Sequence, residues 1–381
     1  MRKKILIAAT NYWSSPYQVG SHHYAKIFAM NGWDVFFVSD PISPFHFLRK
    51  DKNELIQRYN IYKNKIKSGI ENIEIYVPMA LFTPNEMPFF NTKFVSKYWN
   101  NFTIPNIMKV AKEHGFLDVD VLWFDSITQY FWINKLNYKK SILRIADLSG
   151  AFKKINKNLK NLEEDLKSKV NNIIYSAHTL KKYLSGYEDK AFYISNGVDI
   201  NHFLNTKKEI PADLKNIQRP IAIYVGAIDE WFGVEFLREV AISCKDISFV
   251  LIGNPKINLT KLKDLKNIYF LGKKDYKDIP SYMYNSDVGI IPFNINHPVV
   301  KTVNPIKLYE YMACGLPVVA VKWEELELIN SPALLSDNVK DFSTNLKIAI
   351  KNGKDKDYIN YAKQHSWEES YKKIIELLNI N

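Results

Sequence analysis

The sequence predicts an α/β fold with two doubly wound domains, and three observations support it. Short apolar runs of strand length alternate with helical patterns, which is typical of a parallel sheet with helices on both faces. The 381 residues are 46% hydrophobic, so the chain can bury two ordinary cores. Between residues 304 and 321 a helical pattern is followed directly by a buried strand pattern, as in a parallel sheet.

The first half of the chain carries this alternation from its beginning. We expect strands at residues 4–10, 34–38, 73–77, 120–124, 141–146, 172–175 and 191–194. We expect helices at residues 21–31, 49–67, 93–114, 126–135, 155–169 and 177–186.

The second half repeats the pattern after a polar segment near residues 200–215, where we place a domain boundary. Ser366 is expected to cap a final helix. Strands are expected at residues 221–226, 247–252, 268–271, 288–291 and 317–321, and the final helix at 367–379. We therefore expect an N-terminal domain over residues 1–205, a second domain over 206–365 and a C-terminal helix over 366–381.

The stretch from residue 304 to 320 reads as a helix with a marked start and end. Asn304 suits the N-cap, and Pro305 suits the first helical position, where its missing N–H costs nothing. Leu308 and Met312 lie on one apolar face. Gly315 supplies the turn that leads into the next strand.

The same helix carries Lys307 and Glu310 three residues apart, so their side chains are neighbours. A lysine in the first turn adds to the positive end of the helix dipole, which suits a phosphate group. A carboxylate one turn later can accept hydrogen bonds from two ribose hydroxyls. The alternative is a solvated ion pair on an exposed helix face.

The stretch closely resembles the nucleotide-sugar signature of GT-B glycosyltransferases, in which the glutamate at the Glu310 position binds the ribose. The resemblance implies two Rossmann-like domains facing a cleft, with a C-terminal helix packing back on the first domain. It also implies a nucleotide-sugar donor, without a cofactor or a bound metal. The donor-binding residues that it implies are Gly226, Asn304, Pro305, Ile306, Lys307, Leu308 and Glu310.

Gly226 ends a strand of the second half in a tight turn. Many members of the family carry Arg and Lys after this glycine, whereas this chain has Asp229 and Glu230. Phosphate binding is therefore expected to depend on backbone amides and Lys307, with Lys301 as a further candidate. Trp231 resembles the teichuronic-acid-type branch of the family.

The first strand is followed by a loop that leads to Gly20 and His22 at the start of a helix. Ligands bind beyond the carboxyl ends of strands in such sheets, and Gly20 would permit a close backbone approach. His22 is expected to face the crevice, the alternative being a surface histidine whose hydrogen bonds are satisfied. The loop is not a dinucleotide fingerprint. In GT-B enzymes the corresponding loop lies at the interdomain cleft.

Asp147 lies at the carboxyl end of a predicted strand, three residues after Arg144. It could cap the following helix, or it could act as the general base that takes a proton from an acceptor hydroxyl. The pattern resembles the xanthan-type glucuronosyltransferases, in which an aspartate at this place is the proposed base. Retaining relatives carry a glutamate eight positions before the one at Glu310, where this chain has Thr302. The stereochemistry therefore stays open, with a slight lean towards inversion.

Two acidic residues, Asp118 and Asp120, form a DxD pattern, the metal motif of the other glycosyltransferase fold. Acidic residues before a buried strand are commonplace, and we expect no metal site here.

The net charge of +12 is concentrated in the first half of the chain. Residues 1–200 hold 28 Lys and Arg against 18 Asp and Glu, giving +10, and the remainder holds 24 against 22, giving +2. The segment Pro78 to Phe102 is rich in aromatic residues, with Lys93 and Lys97 among them. We expect this half to bind an anionic membrane surface, with core packing as the alternative for the aromatic residues. No nucleic-acid module is recognisable.

The N-terminal apolar run is too short for a signal peptide, and no apolar stretch approaches a membrane span. Cys244 and Cys314 do not form a disulfide framework. We therefore expect a cytoplasmic protein, peripheral at the inner face of the cytoplasmic membrane.

The expected function is metal-independent transfer of a sugar from a nucleotide-diphosphate donor, first of all a UDP-sugar. The acceptor would be a hydroxyl of a glycan or a lipid-linked acceptor in cell-surface polysaccharide biosynthesis. Two alternatives stay open: a non-hydrolysing nucleotide-sugar epimerase of the same fold, and a non-catalytic module that binds glycans or nucleic acid.

Overall fold

The computed structural model describes residues 2–15, 18–48, 52–84, 90, 92–147 and 157–380. The chain divides into two compact units. The first unit contains residues 1–176, 180–194 and 371–381, and the second contains 177–179 and 195–370. Both units are α/β, so the prediction of two doubly wound, Rossmann-like domains is confirmed.

Within the described residues, seven parallel strands form the sheet of the first unit, in the order β3-β2-β1-β4-β5-β6-β7. The strands are β1 (Lys4–Ala9), β2 (Asp34–Ser39), β3 (Ile73–Tyr76), β4 (Asp118–Phe124), β5 (Asn137–Ile145), β6 (Asn172–Tyr175) and β7 (Ala191–Tyr193). The α-helices of this unit are α1 (Gly20–Met30), α2 (Asn53–Tyr62), α3 (Lys93–Tyr98), α4 (Ile107–Glu113) and α5 (Lys157–Lys169).

The prediction of a single helix over residues 93–114 is wrong, because the structure has three shorter helices there. α3 is followed by a 3₁₀ helix, Trp99–Phe102, and then by α4. Pro105 lies between the last two and cannot donate a backbone hydrogen bond. Asn106 restarts the helix, because its side-chain oxygen accepts from the backbone N–H groups of Met108 and Lys109 at 3.0 and 3.3 Å.

Two other expected helices, over residues 126–135 and 177–186, are 3₁₀ helices in the structure, Ile127–Asn134 and His178–Tyr183. The helix expected over 49–67 is shorter, and residues 49–51 lie outside the described part of the chain, as do residues 155 and 156 of the helix expected over 155–169.

The second unit contains six parallel strands among its described residues, in the order β10-β9-β8-β11-β12-β13. They are β8 (Ile221–Val225), β9 (Ser248–Ile252), β10 (Ile268–Gly272), β11 (Val288–Ile291), β12 (Val318–Val321) and β13 (Leu334–Ser336). The helices are α6 (Ile200–Leu204), α7 (Val234–Ser243), α8 (Ile279–Tyr284), α9 (Ile306–Ala313), α10 (Glu324–Ile329), α11 (Val339–Asn352), α12 (Lys356–Gln364) and α13 (Trp367–Leu378).

The last helix, α13, begins in the second unit and continues into the first. Ser366 caps it as expected, because its hydroxyl accepts from the backbone N–H of Glu369 at 3.2 Å. Tyr371 then packs within the first unit, with its ring 5.0 Å from that of Phe28 and its hydroxyl accepting from Trp33 Nε1 at 3.1 Å. Among the described residues, no helix combines the length and the apolar character that a membrane span requires.

The strand orders decide where each unit can hold a ligand. The chain leaves β1 towards β2 and later returns on its other side with β4, and it leaves β8 towards β9 and returns with β11. The crevice beyond the carboxyl ends of these neighbouring strands is where ligands bind in open parallel sheets.

Candidate functional site

In the second unit, Gly226 follows β8 at the point where the strand order reverses. Its φ of +145° is a conformation that side-chain-bearing residues rarely adopt. A Cβ atom here would also lie 3.2 Å from Cε and 3.5 Å from Nζ of Lys307. Glycine at this position therefore leaves the room that the lysine side chain uses.

The helix that carries Lys307, α9, begins one residue later than expected. Pro305 occupies the N-cap, and Ile306 is the first helical residue, so the prediction of Asn304 as N-cap is wrong. The carbonyl oxygen of Pro305 accepts from the N–H of Leu308 at 3.0 Å, which makes Pro305 the capping residue. Asn304 is buried instead, and its carbonyl oxygen accepts from Asn196 Nδ2 at 2.8 Å.

The ammonium group of Lys307 lies between two aromatic rings. Its Nζ is 4.7 Å from the ring centroid of Phe293 and 5.4 Å from that of Tyr224. Burial lowers the pKa of Lys307 to about 8, and the negative charge of Glu310 opposes this shift. The residue is therefore a cation held near its titration point, and not a solvated surface lysine.

Glu310 is half-buried, like Lys307, and lies one turn later on α9. Burial raises the pKa of its carboxyl to about 7, while the charge of Lys307 and a hydrogen bond from the hydroxyl of Tyr276 lower it. Burial therefore disfavours the charged form of both residues of the predicted pair. Two opposite charges, both half-buried, at a switch point are suited to a ligand that brings phosphate and hydroxyl groups.

Sequence reasoning missed Tyr276, which lies four residues after β10. Its ring stacks on that of His202, with the centroids 4.3 Å apart and the planes at 9°. His202 Nε2 also forms a hydrogen bond with the Tyr276 carbonyl oxygen at 3.0 Å. Asp199 caps the helix that carries His202, α6, by accepting from the N–H of His202 at 3.0 Å.

In the first unit, an ion pair lies at the corresponding edge of the sheet. Arg144 Nη1 is 3.2 Å from Oδ1 of Asp125, and both side chains are buried. Sequence reasoning missed Asp125, which directly follows β4. Its position after an apolar strand is the feature from which the sequence could have predicted it. Gly20 starts α1 beside the pair.

Asp147 lies two residues beyond the end of β5, in the same neighbourhood. Burial raises the pKa of its carboxyl to about 6, and the positive charge of Arg144 opposes the shift. The carbonyl of the preceding residue, Ala146, accepts from the hydroxyl of Ser176 at 2.9 Å, which fixes the backbone before Asp147. Residues 148–156 lie outside the described part of the chain, so no helix cap by Asp147 is described.

A second carboxyl that sequence reasoning missed, Asp40, directly follows β2. It accepts a hydrogen bond from Ser126 Oγ at 2.5 Å, and burial raises its pKa to about 6. Gln129 connects the neighbouring strand ends, since its Nε2 donates to the carbonyl oxygens of Ala9 and Val38 at 3.1 and 2.9 Å.

The prediction that His22 faces the crevice is wrong, because the structure buries its side chain completely. Nδ1 accepts from the backbone N–H of Val19 at 3.3 Å, and Nε2 lies 3.0 Å from the carbonyl oxygen of Tyr12. The ring lies against Trp13 and Phe37. His22 therefore holds the loop before α1, and burial lowers its pKa to about 4.

The DxD pattern has a structural role at the opposite edge of this sheet. Asp120 accepts from the backbone N–H of Lys4 at 2.7 Å and pairs with Lys139 at 2.6 Å, and Asp118 accepts from Asn137 Nδ2 at 2.8 Å. In the described part of the chain, no three His, Cys, Asp or Glu side chains cluster as metal ligands would.

Two family models match this chain. A model described as the N-terminal domain of the glucuronosyltransferase GumK matches residues 6–176, and one described as glycosyl transferases group 1 matches residues 219–352. The chain is also similar to the putative teichuronic acid biosynthesis glycosyltransferase TuaH of Bacillus subtilis, with 24% identity over 219 residues. That match covers 54% of this chain and 55% of TuaH, so it spans about half the length of this relative.

Solved structures share the fold over almost the whole chain. Sucrose-phosphate synthase from Thermosynechococcus elongatus is similar with a TM-score of 0.68 at 14% identity, covering 99% of this chain and 98% of that one. A glycosyltransferase from Rickettsia africae has a TM-score of 0.66 at 15% identity, covering 99% and 98%. Anabaena HepE, in complex with UDP and glucose, has a TM-score of 0.64 at 16% identity, covering 99% and 100%.

The burial of His22 predicts a specific dependence of stability on pH. Its pKa is about 4 in the folded chain and 6.5 ordinarily, so the unfolded chain takes up the proton first as the pH falls. The native state should lose up to about 3 kcal/mol from this group between pH 6.5 and 4. Chemical denaturation should show that His22→Gln is less stable than the wild type at pH 7. Its free energy of unfolding should depend less on pH between 6.5 and 4.

The matched control is His114→Gln, which removes an exposed histidine from the same unit. It should leave the slope between pH 6.5 and 4 as in the wild type. Parallel profiles for the wild type and His22→Gln would contradict the assigned role of His22.

Proposed function

The chain belongs to the GT-B glycosyltransferases, and we propose that it transfers a sugar from a nucleotide-diphosphate donor to a hydroxyl of a glycan or lipid-linked acceptor. A UDP-sugar is the first donor to test, since HepE of the same fold was crystallised with UDP. The similarity to TuaH supports a role in the synthesis of a cell-surface polysaccharide.

The observation that carries the proposal is the position of Lys307 and Glu310 on α9. Burial shifts the pKa of both residues towards their neutral forms, and both belong to the stretch that resembles the family's donor signature. A bound diphosphate would place negative charge beside the Lys307 ammonium and the N-terminus of α9, which compensates for the water that the lysine has lost. Glu310 would accept hydrogen bonds from the ribose, with Tyr276 orienting its carboxyl. In this proposal the protein stabilises the leaving diphosphate without a metal ion.

Substitution of the two donor residues should weaken nucleotide binding in different ways. Lys307→Ala removes a charge-assisted phosphate contact, so UDP affinity should fall roughly tenfold to a hundredfold, or about 1.5–3 kcal/mol. Glu310→Ala should weaken UDP more than pyrophosphate, because the ribose contact is lost. Because the pKa of Lys307 is about 8, wild-type UDP affinity should also fall as the pH rises through 8. Isothermal titration calorimetry measures each of these changes.

The control for this experiment is Lys351→Ala, which removes an exposed lysine from the last turn of α11. It should bind UDP nearly as the wild type does. If Lys307→Ala and Glu310→Ala both bind UDP, GDP and dTDP as tightly as the wild type does, the proposed donor site is refuted.

Asp147 is the proposed general base for the acceptor hydroxyl. A carboxyl whose pKa is about 6 is ionised at neutral pH and yet basic enough to accept a proton in the transition state. The positive charge of Arg144 lowers this pKa against the effect of burial, and Arg144 is itself paired with Asp125. This role assigns the enzyme to the inverting stereochemical class.

The variant Asp147→Asn is nearly isosteric, so it should fold and bind UDP normally while losing at least about a hundredfold in turnover. The assay is release of UDP and sugar transfer with a panel of UDP-, GDP- and dTDP-sugars. Asp118→Asn, an exposed aspartate at the other edge of the same sheet, is the matched control. Near-normal transfer by Asp147→Asn would favour retention of configuration, and release of a free epimer without acceptor would favour an epimerase.

The acceptor side is proposed to work at an anionic membrane surface. The exposed face of α3, formed by Lys93, Phe94, Lys97 and Tyr98, presents two cations beside two aromatic rings, with Phe94 54% and Tyr98 40% exposed. The opposite face of α3 is core, because Val95 and Ser96 are buried. Trp99, which directly follows α3, is also fully buried, and its Nε1 donates to the carbonyl of Thr128 at 2.8 Å. The predicted aromatic segment thus contains both exposed residues and core residues. Residues 85–89 and 91, including Met87 and Phe89, lie outside the described residues.

This face should bind anionic vesicles and not neutral ones. Each lysine near the surface contributes about 1 kcal/mol with anionic headgroups, and the exposed rings anchor at the same depth. We expect sedimentation with phosphatidylglycerol vesicles but not with phosphatidylcholine vesicles, reduced by raised salt and by Phe94→Ser/Tyr98→Ser. The control is Phe270→Ser, an exposed phenylalanine of the second unit. Failure to bind either kind of vesicle would remove the membrane from the proposal.

A further inference from the structure

The ammonium group of Lys307 is in contact with aromatic rings and not with a counter-ion. Its Nζ lies 4.7 Å from the ring centroid of Phe293 and 5.4 Å from that of Tyr224. Among the described residues, no carboxylate forms an ion pair with Nζ and no oxygen accepts a hydrogen bond from it. The half-buried lysine therefore keeps N–H donors that the described part of the chain leaves unused.

Both rings are fixed by contacts with other elements of the second unit. Phe293, two residues after β11, is stacked on Trp323, with the centroids 5.7 Å apart and the planes at 27°. Trp323 in turn donates from Nε1 to the carbonyl oxygen of Val303, just before α9, at 3.2 Å. Tyr224 is completely buried in β8, and its hydroxyl donates to the carbonyl oxygen of Ala227 at 2.6 Å. The fold of the unit itself thus sets the positions of both rings.

We propose that Phe293 and Tyr224 are positioning residues, whose rings take the place of a counter-ion and hold Lys307 as a cation that can bind a diphosphate. The inference rests on the proposed function only for the identity of this anion. The face of an aromatic ring carries partial negative charge, so it attracts an ammonium group, and most strongly where water is scarce. Glu310, the charged group of the described residues that acts on Lys307, lies one turn later on the same helix and opposes the effect of burial.

Aromatic rings have an advantage over a carboxylate beside a site for a phosphate ligand. A carboxylate paired with Lys307 would accept hydrogen bonds from its ammonium group and would repel the negative charge of the ligand. A neutral ring stabilises the ammonium without repelling the ligand. Loss of a ring should therefore change the charge state of Lys307, and not only the stability of the unit.

The test is a titration of Lys307 in the full chain without a ligand. The chain is labelled with ¹³C-lysine, and the resonance that is missing in Lys307→Ala assigns the side chain. In the wild type its midpoint should lie near pH 8. Phe293→Leu and Tyr224→Leu each remove a ring but keep an apolar side chain, so each should lower the midpoint by about half a pH unit to one unit.

Two further variants separate this effect from damage to the packing. Tyr224→Phe removes the hydroxyl that bonds to Ala227 but keeps the ring, so its midpoint should stay near that of the wild type. Phe342→Leu removes a buried ring from α11, where it packs edge-on against Phe236 with the centroids 5.2 Å apart. This control should lower the unfolding temperature without moving the midpoint.

UDP affinity provides a second measurement, because a change of charge depends on pH and a loss of packing does not. In titration calorimetry, Phe293→Leu should bind UDP about two- to fivefold more weakly than the wild type at pH 8 and nearly as tightly near pH 6.5, where Lys307 is charged in both.

A lowered midpoint in either ring variant supports the inference, and an unshifted or raised midpoint in both would overturn it. A loss of UDP affinity of equal size at the two pH values would also overturn it, because that result indicates structural damage. The outcome for the donor is separate, since the midpoints are measured without a ligand. A wild type that binds no UDP would refute the proposed donor and leave the role of the rings to be decided by the midpoints.

Discussion

A parallel sheet whose chain winds first to one side and then to the other leaves an opening beyond the strands where the direction changes. The rest of the site depends on this constraint, which operates twice here. β1 and β4 border the opening in the first unit, and β8 and β11 border it in the second. Backbone groups and helix N-termini converge at such an edge, so charged side chains can be dehydrated there without being enclosed by a hydrophobic core.

The two units use this edge in different ways. The second unit places Lys307 between two aromatic rings, where burial lowers its pKa. The first unit compensates its cation internally, because Arg144 already faces Asp125. A cation without a full counter-charge favours an anionic ligand, whereas a paired cation is held in a fixed position. The glycine that precedes each site has the same physical function, since Gly226 makes room for the lysine and Gly20 for the arginine.

The errors of the sequence reading have identifiable causes. The helix expected over residues 93–114 is interrupted because Pro105 and the Asn106 cap outweigh a periodic apolar pattern. His22 was expected to face the crevice because it lies at a helix start after the first strand, where such sheets bind ligands. Its ring is instead covered by Trp13 and Phe37, which lie outside α1. Asn304 was assigned as a cap by residue type alone, whereas its contact with Asn196 spans 108 residues of sequence.

The sequence by itself determined the fold class, the two doubly wound units, most strands to within a few residues, and α9 with Lys307 and Glu310. These features depend on local spacing, which a helix or a strand converts directly into a face or an edge. Only the tertiary structure decided that Gly20 faces Arg144, that Tyr276 reaches Glu310 and that His22 is buried. Those contacts join residues from separate strands and helices, and the distance between their side chains is set by sheet order and packing, which sequence spacing does not encode.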